Sequence, residues 1–162
     1  MKKAIDLTIL ILSKFTALAL SVLILLIVYD ATMRYLFSEG STALQELEWH
    51  LFDVVILLSI AYTLKMNSHV RVDILYDKFP KKIQKYIDII AIVFFILPFS
   101  FFIIYVSYDF VAMSLLQNEA SSDPGGLPYR WIVKSLILIA FFMLALQSVR
   151  NLIEDIKELK KW

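Results

Sequence analysis

The chain has 162 residues, of which 60% are hydrophobic and 19% charged, with a formal net charge of +1. Its mean hydropathy of +0.74 marks more apolar surface than a single core of this length can hide, so lipid is the expected solvent. The lack of cysteine excludes disulfide scaffolds, thiolate metal centres, iron–sulfur clusters and cysteine nucleophiles, and the near-neutral total gives no nucleic-acid footprint.

The first apolar stretch runs from about Leu7 to Val28. Lys2, Lys3 and the small-x-small triplet Ala17-Leu18-Ala19 imitate a signal peptide, but cleavage there would leave the apolar run Leu20 to Val28 as a new terminus. A retained signal-anchor helix is the better reading. The second stretch, Trp49 to Leu64, is only 16 residues, or about 24 Å of helix, against a bilayer core of about 30 Å. Its helix is therefore expected to begin earlier, near Ser41 or Thr42. The connection that follows places Val72, Leu75, Tyr76 and Phe79 on one helical stripe and Asp73, Asp77 and Lys81 on another. It reads either as a short helix lying in the interface or as a basic loop held at anionic headgroups.

The third stretch runs from Ile87 to about Leu116, with Pro98 as an expected kink. The connection Glu119 to Trp131 contains Pro124-Gly125, a type II turn signal. Pro128 suits the start of the fourth helix. Structurally this connection reads as a compact turn, functionally as a shaped docking surface. The fourth stretch is Trp131 to about Val149. The runs are apolar on every face, which excludes a closed barrel. The predicted fold class is an all-α integral membrane protein, a single domain of four transmembrane helices at roughly 7–33, 43–65, 86–114 and 130–151.

Twelve of the sixteen Lys and Arg lie at the N-terminus, in the connection between helices two and three, or in the C-terminal tail. Arg34 and Arg130 alone occupy the other two connections, and Lys14 and Lys134 lie within helices. The positive-inside rule then predicts cytoplasmic termini, with Trp49 and Trp131 at the outer interface. Lys14 and Lys134 can snorkel to opposite surfaces. Asp30, Asp53 and Asp109 fall towards the outer ends of their helices, and Asp88 near an inner end. Matching depths suggest Lys134 with Asp53 or Asp109 as the outer pair, and Lys14 with Asp88 as the inner one.

His50 and His69 are 19 residues apart, about 28 Å along a helix, too far to ligate one haem. No zinc helix, phosphate loop or nucleophile arrangement is present, so no catalytic residue, metal or cofactor is expected. The three glycines, Gly40, Gly125 and Gly126, all lie in connections. Glycine-broken helices, which build substrate sites in many secondary transporters, therefore have no counterpart here.

Several segments together carry a resemblance: MRYLF after helix one, QELEW before helix two, AYTLKMNSHVRVDILYDKFP after it, ILPF in helix three and NEASSDPGGLPYRWIVK before helix four. Across essentially its whole length the chain resembles the small, Q-type membrane subunit of tripartite ATP-independent periplasmic (TRAP) transporters. The motif residues carried over are Arg34, Glu46, His69, Arg71, Asp73, Pro124, Gly125, Gly126, Pro128 and Arg130. With the charged groups Asp53, Asp109, Glu119, Asp123 and Lys134, they are the candidate interface or structural residues. The resemblance implies a multi-pass subunit of the bacterial inner membrane, in a sodium-coupled uptake system for an organic anion such as a carboxylate or 2-oxo acid. A large membrane subunit would carry the substrate, and a periplasmic substrate-binding protein would deliver it. Membrane lipids complete the partners. The small subunit would support the scaffold and help dock the binding protein, with no enzymatic activity. Two readings from other classes stand beside it. One is a self-sufficient proton-coupled exporter using Asp53; the other is a membrane anchor for a redox enzyme.

Overall fold

A computed structural model describes residues 2–66, 76 and 78–160. The described residues are helical and turn, with four helices long and apolar enough to cross a membrane. They are α1 (Lys2–Leu36), α2 (Thr42–Lys65), α3 (Lys81–Leu116) and α4 (Trp131–Leu159). Successive helices run in opposite directions. The α1–α2 and α3–α4 connections thus share one end of the molecule, the loop end. The two chain termini share the other.

Local chemistry sets the helix limits. Ser41 is extended, with φ −125°, and its side chain accepts a hydrogen bond from the Leu44 N–H at 3.4 Å, an N-cap that starts α2 seven residues before its apolar run. At 24 residues, α2 is about 36 Å long, enough to span. Asn118 closes α3 in the left-handed region, with φ 45°. The Glu119 N–H reaches the Ser114 carbonyl at 3.0 Å and the Asn118 N–H reaches that of Leu115 at 3.1 Å, the paired bonds of a Schellman cap.

Pro98 lacks the N–H that would bond the carbonyl four residues back, and its ring crowds that carbonyl. The backbone accommodates it with a π-helical turn, Ile92–Ile96, between α-helical Lys81–Ala91 and Leu97–Leu116. Beside this turn Phe95, Ile96, Phe99 and Leu144 line an apolar cavity of about 390 Å³.

The helices do not close into a bundle. α1 packs on α2, α2 on α4, and α4 on α3. The result is a layer in the order α1, α2, α4, α3, and much of its apolar surface faces outward. Leu25, Phe94, Phe102 and Tyr105 are all 61% exposed or more, as expected where lipid or a partner subunit is the neighbour. Two buried hydroxyls inside the layer are satisfied by their own helices. The fully buried Ser100 and Ser148 hydroxyls donate to the carbonyls of Ile96 and Leu144 at 2.7 and 2.8 Å.

This order overturns the pairing of Lys14 with Asp88. They belong to helices at opposite edges of the layer; Lys14 is exposed, and Asp88 accepts from the Tyr76 hydroxyl at 2.7 Å. The termini end is held instead by other charges. Asp6 of α1 takes both Lys65 of α2 at 3.1 Å and Arg150 of α4 at 3.0 Å. Lys85 of α3 takes Asp155 at 2.6 Å and Glu158 at 3.0 Å, both on α4. The expected interfacial helix on Val72, Leu75, Tyr76 and Phe79 falls largely on residues 67–75 and 77, outside the described residues. So do His69, Arg71 and Asp73.

Candidate functional site

The loop end is built around one carboxylate. Glu46 lies in the second turn of α2 and is 7% exposed. Its Oε1 accepts from the Ser121 hydroxyl and from Arg130 Nη2, the latter at 2.7 Å. Its Oε2 accepts from the Leu127 N–H at 2.6 Å. One side chain of α2 thereby gathers the beginning, middle and end of the α3–α4 connection. Burying a carboxylate is costly unless opposite charge and hydrogen bonds repay it. Here a guanidinium, a hydroxyl and a backbone N–H all do so.

The connection also braces itself. The Ser121 N–H donates to the Leu127 carbonyl at 3.0 Å, and the Arg130 N–H to the Glu119 carbonyl at 2.9 Å. Pro124-Gly125 forms the expected type II turn: the Gly126 N–H reaches the Asp123 carbonyl at 3.0 Å, and Gly125 has φ +80°. Gly126 answers a different need. A Cβ there would collide with Cβ and Oγ of Ser121 and come within 2.9 Å of Glu46 Oε2. The loop closes over Glu46 because this residue has no side chain.

Lys134, on the first turn of α4, pairs with Glu119 and lies 4.0 Å from the centre of the Phe110 ring. The Lys134 ammonium is the main reason the Glu119 carboxyl sits below the usual carboxylate range. The expected pairing of Lys134 with Asp53 or Asp109 is therefore wrong. The Schellman cap turns Glu119 back over the helix end, nearer than either aspartate. Asp109 is exposed, and Asp53 is half-buried beside His50 on its own helix. Arg34 pairs with Asp30 one turn before it on α1 rather than with the loop. Pro128 does not start α4. Tyr129, with φ 63°, interrupts the backbone, and the helix begins at Trp131.

The structure thus joins Glu46, Glu119, Gly126, Arg130 and Lys134 in one assembly. Asp123 and Pro124 are left exposed at its tip. Reasoning from sequence missed Ser121 and the Leu127 N–H, whose roles depend on the loop's path. It also missed Asp6, Lys65, Lys85, Arg150 and Asp155 as partners. Two signals were available: a glutamate near the start of one helix facing an arginine just before another, and acidic and basic residues at matching helix ends.

The site offers hydrogen bonds and shape, and its charges are consumed in holding a surface. Residues 23–158 match the family described as tripartite ATP-independent periplasmic transporters, DctQ component. No individually curated protein matches the chain. With four apolar helices and a match over nearly its whole length, the chain belongs to the DctQ component family of tripartite ATP-independent periplasmic transporters.

Proposed function

We propose that this chain is the small membrane subunit of a sodium-coupled uptake system for an organic anion, a carboxylate or 2-oxo acid. In this reading it supports the scaffold of the large membrane subunit in the bacterial inner membrane. Its termini face the cytoplasm, and its loop end helps receive the periplasmic binding protein. The observation that carries the docking role is the α3–α4 connection. It is fixed from within by Glu46 and Arg130, yet exposes Asp123 and Pro124. A surface already ordered in the free subunit loses little entropy when a partner binds. The orientation rests on the twelve clustered cations.

Asp123→Lys separates docking from folding, because the Asp123 side chain is exposed while its backbone makes the turn. Uptake by the reconstituted complex is measured against binding-protein concentration. The variant should need several-fold more binding protein for half-maximal uptake, with complex assembly unchanged. A superimposable curve would remove the docking role. Reporter fusions should place Lys78 in the cytoplasm and Gly125 outside; the reverse result would overturn the orientation.

A further inference from the structure

The start of α3 carries cations that the fold does not use. Lys78, Lys81 and Lys82 are exposed, and none makes a hydrogen bond or ion pair among the described residues. Lys65, Lys85 and Arg150, at the same end, all have acidic partners. The turn that bears Lys78 is nevertheless fixed. Gln84 Nε2 donates to the carbonyls of Tyr76 at 3.1 Å and Phe79 at 3.0 Å, and the Tyr76 hydroxyl donates to Asp88 at 2.7 Å. The Ile83 N–H reaches the Pro80 carbonyl at 2.8 Å. Three positive charges are thus held close together, with no acidic residue in the first turn of the helix.

An apolar path leads from these lysines into the membrane. Ile83, Ile87, Ala91, Phe95 and Phe99 follow one another at four-residue steps along α3. In an unbroken α-helix each such step advances about 40° round the axis, and the row would wind into the α4 contact. The π-helical turn Ile92–Ile96 winds less per residue and brings Phe95 and Phe99 back into line with Ile87. There, with Ile96 and Leu144, they line the apolar cavity of about 390 Å³. Phe95 and Phe99 are 68% and 55% exposed, so the cavity opens outward as a groove between α3 and α4. From Ile83 to Phe95 the helix rises about 18 Å, close to the roughly 15 Å of hydrocarbon that one leaflet fills. A free anion would have no use for the groove, and a partner helix seated in it would have no use for the lysines. A phospholipid with a negative headgroup uses both, at this separation.

We propose that this face of α3 binds one anionic phospholipid. Lys78, Lys81 and Lys82 hold its headgroup phosphate, and one acyl chain runs past Ile83 and Ile87 into the groove. The chain fills the gap beside the π-helical turn and braces α3 against α4. The site is independent of the transporter reading, since it requires only this chain.

The test is native mass spectrometry of the purified full chain, counting retained lipid. Dioleoyl phosphatidylglycerol should be retained as a single molecule, at least about tenfold more tightly than phosphatidylcholine with the same chains. The triple variant Lys78→Gln, Lys81→Gln, Lys82→Gln changes only exposed side chains and should bind the two lipids alike. Lys157→Gln with Lys160→Gln, at the same end, should leave the preference intact. A phosphatidylglycerol carrying a photoreactive group at its chain end should label the peptides containing Phe95, Phe99 or Leu144. Equal retention of the two lipids by the wild type, or an unchanged preference in the triple variant, would overturn the proposal. So would equal binding of six-carbon-chain phosphatidylglycerol or displacement by inorganic phosphate, either of which would leave only an anion site. Loss of the lipid when the large membrane subunit is bound would give the groove to that subunit and overturn the proposal as well.

Discussion

The two ends of the molecule are held by the same kinds of side chain used in opposite ways. At the loop end, three contacts converge on a single carboxylate, Glu46, and the gap is so tight that a glycine must close it. At the termini end, charges are shared along a chain. Asp6 serves Lys65 and Arg150, Arg150 also reaches Glu154 at 3.5 Å, and Lys85 serves Asp155 and Glu158. A convergent site fixes shape but fails when its centre is removed. A distributed network tolerates the loss of any one member. The first suits a surface that must present a defined face, the second a place where helices need only stay together.

Glu46→Ala should break this contrast most severely. It strands Arg130, Ser121 and the Leu127 N–H together, and should give the largest drop in melting temperature of the variants considered, with new proteolytic cleavage between residues 119 and 130. Unchanged protease resistance would mean the loop holds its own shape. Gly126→Ala comes next. Forcing a methyl group against Ser121 should cost about 1–3 kcal/mol, read as a lower melting temperature in detergent. Lowering pH probes the bridge between Glu119 and Lys134. Because the folded carboxyl lies below its ordinary value of 4.5, the bridge contributes its full stability above that pH. The contribution is lost as pH falls through the lower folded value. Glu119→Gln should remove this part of the acid sensitivity in a melting series. Lys65→Met should be the mildest change, at most about 1 kcal/mol, because Arg150 still holds Asp6; a larger loss would show that the network is not redundant.

Much of this was legible in the sequence because it is local. Apolar runs marked the spans, a serine marked the true start of α2, and Pro124-Gly125 specified its turn. The ion pairs were not legible. Depth along a helix says how high a charge sits, but not which way the helix is turned or which helix lies beside it. Lys14 and Asp88 have matching depths on helices that never become neighbours, since α2 and α4 stand between them. Lys134 found Glu119 because Asn118 accepts a left-handed conformation and turns the chain back, a consequence of cap geometry rather than of spacing. Glu46 was visible only as part of a motif. Its role depends on residues 75 to 84 positions away.

The role of the whole chain is tested most directly by uptake into proteoliposomes carrying the large membrane subunit and supplied with the binding protein and a sodium gradient, with and without this subunit. A supporting subunit that transports nothing itself should be required for uptake when present with the large subunit, and inactive when reconstituted alone. Full uptake without it, or uptake by this chain on its own, would contradict the account.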